Sequence, residues 1–494
     1  MATQKQLGKR MLLNVLHLGV GQIITTVLTI CFSATVARAL GASDFGLLYL
    51  ITSITTFTFV IVDWGHGPYI TREVARRPER AGELIGSATV VRAIMTVLAG
   101  VPAIALTWLL GYDSSTRTLA ALMLVAWLPT TVGLSYSWVF RARDRMDYDA
   151  SLSVILKSLN LVLALAFLAI GGRLMSLVVA FGIAGTATLG VALLLYRRMG
   201  MPRLRATRAI ARELLFDGAP MLAINLAVAV QPYIDANLLF RMTSSSAAGW
   251  YGAAWTIAGT LIAPATILGA AMYPRLSRVA GDAPQFRATL RAAFRPLLLL
   301  AVLGAVGAYL FADFVVGLIY SERKYGPAAD ILQAFSPALM LIYIDMLFGY
   351  ALLALGKAAQ LAKAKVLAVV VTTAVELLLI PLFQAWFSNG AVGIVIAMAC
   401  GELVMVTQAV LLIRETIQGG IVVDFLRGLA AGAATLLMMS SLDALRPVLA
   451  IPVCILTFLM MSGVVGLVKP SDVQLLSSMF RRTQPQRSVL ATEG

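Results

Sequence analysis

The chain has 494 residues, of which 60% are hydrophobic and only 13% charged, with a formal net charge of +15. That balance excludes a water-soluble globule. The basic surplus needs no nucleic acid to explain it, because membrane proteins gather Lys and Arg on one face, where they meet anionic lipid.

Apolar stretches succeed one another along the chain, each near the roughly 20 residues that cross a hydrocarbon core. We predict about fourteen transmembrane helices, at 12–37, 46–66, 84–110, 118–140, 150–170, 174–196, 214–240, 247–273, 295–318, 331–355, 361–382, 391–413, 425–443 and 447–468. The fold class is all-α and polytopic, since lipid admits only segments that satisfy their own backbone hydrogen bonds. The first run follows a basic start, as a signal peptide does. It exceeds the roughly 7–15 residues of a signal core and is retained as a helix. Cys31, Cys400 and Cys454 all fall inside spans, and no Cys/His spacing marks a disulfide framework or a metal site.

The charges orient this map. Of the 39 Lys and Arg residues, 30 fall in the two termini, the even-numbered connections and the span ends that flank them, and 7 in the odd-numbered connections. Cytoplasmic segments carry that excess, so both termini are expected in the cytoplasm. Residues 481–494 read as a disordered basic tail.

A shift of 203 residues superposes Gln22 on Asn225, Arg38 on Arg241, Gly46 on Gly249, Arg72 on Arg275 and Arg92 on Arg295. The register slips after Arg295, where "SERKYGPAAD" (321–330) lengthens a connection. Spans 1 and 7 open the two copies and lie an even number of spans apart. The copies therefore share orientation, and their pseudo-twofold axis runs along the membrane normal. Repeats of this kind are common in secondary transporters, with substrate at the repeat interface. The expected organisation is an N-terminal lobe (1–200, helices 1–6), a C-terminal lobe (201–415, helices 7–12), two additional helices (416–470) and a basic cytoplasmic tail (471–494), with a central cavity between the lobes.

Several stretches carry a resemblance: "ARALGASDFGLLYL" (37–50), "DWGHGPYITREVAR" (63–76), "FRARDRMDYDA" (140–150), "GAPMLAINLAVAVQPYIDANLLF" (218–240), "AAGWYGAAWTI" (247–257) and "MYPRLSR" (272–278). In this order the chain resembles the polysaccharide and oligosaccharide transporters, the Wzx-type flippases of the multidrug/oligosaccharidyl-lipid/polysaccharide exporter superfamily. It departs from their pattern at "DWGHGP", where His66 and Pro68 stand. The resemblance implies a transporter without enzymatic activity or cofactor. Such a protein moves an undecaprenyl-pyrophosphate-linked oligosaccharide to the outer leaflet by alternating access, for O-antigen, capsule or exopolysaccharide. Its partners are the lipid-linked oligosaccharide, the membrane and polysaccharide polymerase or assembly proteins.

Polar residues on apolar helices mark candidate sites. Asn14, His17, Gly21, Thr25 and Thr29 share one face of span 1. With Gln22, and with Asn225, Gln231 and Asn237 on span 7, they are candidates for the sugar cavity; helix–helix contact is the competing role for the small residues. Ionisable residues within spans are candidate functional sites, because inserting one costs about 2.5–3.5 kcal/mol. Arg92 and Lys157 are placed to meet the diphosphate. Asp63, Asp235, Asp345, Glu376 and Glu402 are placed to pair with them or carry a coupling ion. Asp63 and Asp235 are the preferred coupling residues, for a proton or Na⁺. The repeat pairs Arg38/Arg241 and Arg72/Arg275 are candidates for guiding the diphosphate at exit and entrance. Positive-inside anchoring explains Arg72 and Arg275 equally well, but Arg38 and Arg241 lie on the face where basic residues are scarce. The competing functions are a lipid II flippase, a cation-coupled drug antiporter of the same fold, and a membrane scaffold without transport.

Overall fold

The computed structural model describes residues 2–415, 419–441 and 446–468, with side chains from residue 17 onward except at 220, 224, 228 and 419. The expected tail (471–494) and the side chain of Asn14 lie outside the described residues. Sixteen α-helices follow in order: α1 (Ala2–Asp63), α2 (His66–Arg76), α3 (Ala81–Leu109), α4 (Ser114–Ala142), α5 (Met146–Ala169), α6 (Leu174–Arg198), α7 (Arg208–Met242), α8 (Ser245–Arg278), α9 (Ala283–Leu310), α10 (Ala312–Tyr320), α11 (Glu322–Tyr325), α12 (Pro327–Ala354), α13 (Ala358–Phe387), α14 (Gly390–Leu412), α15 (Gly419–Ser440) and α16 (Pro447–Val464). No strand occurs among the described residues.

Among the described residues, thirteen helices are long and apolar enough to cross a membrane. One of them, His17–Asp63, has 47 residues and would run about 70 Å at 1.5 Å per residue, more than two bilayer cores. Gly41 divides it, with φ 82° and ψ 176°. That backbone region is essentially closed to residues with a Cβ. The helix therefore supplies two spans, and the expected fourteen are accounted for.

Two boundaries differ from the hydropathy reading. The ninth span, expected at 295–318, is the helix Ala283–Leu310 followed by the short α10. Its first turns carry Arg287, Arg291 and Arg295, which an apolar window passes over. The helix starts there because Asp282 accepts a hydrogen bond from the Gln285 N–H at 3.0 Å and Pro284 sits in its first turn. Past the second span the chain does not run into a loop. Trp64 and Gly65 adopt positive φ (48° and 71°) and start the amphipathic helix α2.

Two compact units are present. The first comprises Met1–Thr260, Val315–Ala334 and Ala362–Val404, and the second Leu261–Phe314, Phe335–Leu361 and Met405–Gly494. In the first unit, Ile70, Val74, Leu84, Ile85, Tyr136, Phe140, Leu152, Tyr196 and Leu214 form one buried cluster joining α2 to α7. In the second unit α15 lies on α9 through small residues. A Cβ on Gly428 would stand 2.9 Å from the Leu298 side chain, and one on Gly432 2.7 Å from Val302.

Candidate functional site

The two sequence copies meet within the first unit. A Cβ on Gly46 would fall on the Ser245 carbonyl, and one on Gly249 on the Ala42 carbonyl. Ala42 and Ser245 are themselves repeat partners, 203 residues apart. The contact is thus reciprocal about a local twofold axis, and only glycine lets the backbones approach so closely. Ser43 and Ser245 hydroxyls share a hydrogen bond of 2.7 Å beside it. The second half of α1 and α7 then run antiparallel away from this crossing. Ser53 donates to the Pro232 carbonyl at 3.1 Å, and Phe57 stacks on Tyr233 with ring centroids 4.6 Å apart.

Arg38 and Arg241 obey the same reciprocity. Arg38, exposed at the end of span 1, donates to the carbonyl of Leu318, and the ammonium of Lys324 donates to the Arg38 carbonyl at 3.3 Å. Arg241, exposed at the end of span 7, lies against the turn at Gly111 and 5.9 Å from the Tyr112 ring centroid. Each arginine thus leaves one sequence half and reaches the other. Asn237, 8% exposed, accepts from the Tyr112 hydroxyl at 2.8 Å and donates to the Tyr233 carbonyl at 2.7 Å.

Deeper in α7 lies an acidic centre. Asp235 and Glu376 are 1% and 0% exposed. The amide nitrogen of Gln231 donates to Asp235 Oδ1 at 2.7 Å and to Glu376 Oε1 at 2.9 Å. The Tyr251 hydroxyl donates to Asp235 Oδ2 at 3.1 Å. Glu376 Oε2 and Gln231 Oε1 are buried without a partner among the described residues. Among the described residues no lysine or arginine forms an ion pair with either carboxylate, so the site lacks positive charge. Two unscreened carboxylates held together require a proton or a cation between them. Gln231 and Asp235, named on sequence grounds, and Glu376, an in-span acid, are thereby brought together. Tyr251 was missed, and no periodicity points to a hydroxyl 16 residues beyond Asp235.

A second cluster sits where the basic connections lie. Arg92, 2% exposed, pairs with Asp63, donates to the Thr131 carbonyl at 2.7 Å, and lies 4.6 Å from the Trp138 ring centroid. This placement commits the guanidinium to Asp63 and the bundle. The Trp64 indole donates to the Leu215 carbonyl at 2.8 Å. A Cβ on Gly65 would stand 2.6 Å from that of Met221, and one on Gly218 would fall on the Trp64 carbonyl. The two sequence stretches beginning at Asp63 and Gly218 therefore fit glycine to backbone. His66 is fully buried between them, and neither ring nitrogen has a partner among the described residues. One turn on, Tyr69 donates to Glu213, and Arg80 bridges Glu213 (2.9 Å) and Glu73 (2.5 Å). Burial alone would raise the Glu213 carboxyl, but hydrogen bonds from Tyr69 and Arg80 outweigh it and hold the group below its ordinary value. Burial and the hydrogen bond to Glu213 push the Tyr69 phenol up to about 12. Glu213 and Arg80 were not singled out in the sequence, where they read as solvated connection charges.

The remaining candidates are dispersed. His17 and Gln22 are exposed on α1, and Gln22 donates to Thr26 at 3.5 Å. Gly21 packs on α5, where a Cβ would stand 2.9 Å from that of Ala150. Asn225 and Lys157 are half-buried. Arg72 is exposed, 5.5 Å from the Tyr69 ring centroid, and Arg275 is exposed in the second unit. Asp345 is buried in the second unit and Glu402 half-buried in the first.

Residues 11–280 match a family model described as polysaccharide biosynthesis protein. No curated protein matches the sequence. Among solved structures, the lipid II flippase MurJ in an inward closed conformation superposes with a TM-score of 0.70 at 13% identity, covering 94% of this chain and 98% of that one. An inward-facing multidrug resistance MATE family transporter gives 0.63 at 16%, covering 81% and 97%. A MOP superfamily transporter from Pyrococcus furiosus gives 0.58 at 16%, covering 82% and 94%. At these identities the likeness is one of fold, and that fold is the one found in transporters of this superfamily.

Proposed function

Because the chain belongs to the polysaccharide biosynthesis protein family, with the fold of MurJ and MATE transporters, we propose that it is a flippase for a lipid-linked oligosaccharide. The cargo is an undecaprenyl-pyrophosphate oligosaccharide, moved from the cytoplasmic to the outer leaflet of the bacterial inner membrane for surface polysaccharide. The family match over residues 11–280 is the observation that carries this reading. Both termini face the cytoplasm, on the strength of the lysine and arginine distribution.

The parts divide as follows. Spans 1–6 and 7–12 act as two lobes that rock about the Gly46–Gly249 crossing. Arg38 and Arg241 steer the diphosphate at the outer face, where other basic residues are few, and Arg72 and Arg275 at the inner face. Arg92 acts on the diphosphate only when it parts from Asp63, as the lobes alternate. Asn14, His17, Gln22 and Asn225 contribute polar groups to the sugar, and Asn237 joins them only when it parts from Tyr112. Asp235, with Glu376 and Gln231, holds the coupling proton or Na⁺; its lack of a paired cation supports this role over a static ion pair. Asp63 is the second coupling residue, released when Arg92 moves. No covalent step is required, because the cargo leaves as it enters.

A lipid II-type flippase is the second reading. It is supported by the 94% coverage of this chain by the MurJ superposition against 81% for the MATE transporter. The deciding experiment follows labelled lipid-linked oligosaccharide in cells lacking the protein. Accumulation in the inner leaflet with loss of surface polysaccharide is the expected result. Arrested wall synthesis would replace this reading with lipid II, and normal glycan export with altered resistance to cationic drugs would replace it with an antiporter.

A further inference from the structure

Away from the acidic centre, the second unit holds a cluster of arginines with too little negative charge among them. Arg287, Arg291 and Arg295 recur at every fourth position and share one face of α9. Facing them is Asp424 of α15, fully buried. Arg291 donates to its two oxygens from Nε at 2.8 Å and Nη2 at 3.3 Å, and Arg295 likewise at 3.0 and 3.2 Å. Arg427, one turn along α15, stands 3.8 Å from Oδ1 and also donates to the Gly466 carbonyl beyond α16 at 3.4 Å. Gly420 leaves room for the Arg291 guanidinium, from which a Cβ would stand only 2.6 Å away. The Nε of Arg287 is buried without a partner among the described residues.

A staple between two helices needs one arginine per carboxylate. Here three guanidiniums gather about one, with Arg287 one turn before them on α9, and the excess is open to an outside ligand, because the Arg291 and Arg427 side chains are 42% and 38% exposed. The helix face next to them is apolar and exposed, with Val422, Val423 and Leu426 between 43% and 57%. In a bilayer such a face meets acyl chains. Cationic forks beside an acyl-lined face match a molecule with a phosphate at one end and hydrocarbon at the other.

We propose that this cluster binds the phosphate headgroup of an anionic membrane lipid in the leaflet at the basic face of the protein. The lipid completes the charge balance around Asp424 and ties α9 to the two additional helices.

The test is native mass spectrometry of the full-length protein in detergent, offered phosphatidylglycerol, phosphatidylcholine of equal chain length, undecaprenyl phosphate or inorganic phosphate. Phosphatidylglycerol should be retained well above phosphatidylcholine. The Arg287→Gln/Arg427→Gln variant leaves the Arg291–Asp424–Arg295 contact in place. It should weaken phosphatidylglycerol binding about thirty-fold, from about 1 kcal/mol per basic residue near a membrane surface. Asp424→Asn keeps every cation and should retain the lipid at least as well as the parent. Equal retention of the two phospholipids, or unchanged retention in the double variant, overturns the proposal. Preference for undecaprenyl phosphate would assign the site to cargo, and uptake of inorganic phosphate alone to a soluble anion; either also overturns it.

Discussion

Glu376→Gln is the substitution from which the most follows. Asp235 and Glu376 each lie within 3 Å of one nitrogen, that of Gln231, so their nearest oxygens are less than about 6 Å apart. Two negative charges at that separation repel by about 3 kcal/mol at an effective dielectric of 20, a factor of about 150 in an equilibrium constant. A proton or cation at the site removes that repulsion, so its binding reports directly on the carboxylate pair. Glutamine keeps the shape of Glu376 and removes one charge. The wild-type protein, purified in detergent, should gain thermal stability as Na⁺ is added or as pH is lowered, according to which ion it uses. Glu376→Gln should be more stable than wild type without the ion and flat across the same titration. Reconstituted in vesicles, the variant should also flip a labelled lipid-linked oligosaccharide at a rate independent of the ion gradient. Identical Na⁺ and pH responses in the two proteins, in both assays, would refute the argument and reduce the pair to a structural feature.

The other expectations are simpler to read. Gly249→Val puts a side chain onto the Ala42 carbonyl and should cost about 1–3 kcal/mol of overpacking along with transport. Gly259→Ala, with nothing within 4 Å of its added Cβ, is the matched control, and equal melting temperatures of the two variants would contradict the crossing. The double variant Arg38→Ala/Arg241→Ala should reach normal membrane levels yet export little polysaccharide; export at the parental rate would remove both residues from the cargo path. Glu213 titrates below its ordinary value of 4.5, so its contribution to stability is present above that value and is lost as pH falls through the lower folded value. Melting curves between pH 3 and 6 should show a smaller acid-side loss in Glu213→Gln than in the wild type, and an acid limb of equal size in the two proteins would disprove the assignment.

Chain-level architecture was legible because lipid punishes error. A span must be apolar along its length, and basic residues must stay on one face, so fourteen crossings could be placed before any coordinates. The same logic blurred where helices continue outside the hydrocarbon. The arginine-bearing start of α9 and the amphipathic α2 have no apolar signature. Of the site, sequence gave identities without partners. Gln231 and Glu376 are 145 residues apart, and nothing local to either announces the other. Arg92 and Asp63 were both conspicuous as charges within spans, but only the packing of α1 against α3 pairs them. Glycine was the best guide. Gly46, Gly65, Gly218 and Gly249 all lay in the stretches singled out by sequence, and each sits where a backbone leaves no space for a side chain.

The crossing at Gly46 and Gly249 has a bearing on what each half can carry alone. A contact in which each copy offers the same surface to the other is the interface of a symmetric dimer, here joined in one chain. In a dimer of two identical chains every substitution appears twice, and an acid placed in one helix is placed in both. A single chain carrying both copies is free of that constraint. The positions that correspond, 203 residues earlier, to Gln231, Asp235 and Tyr251 are Leu28, Phe32 and Leu48, an apolar set. The paired arginines keep the symmetry of the contact, and Asp235, present in one copy alone, breaks it.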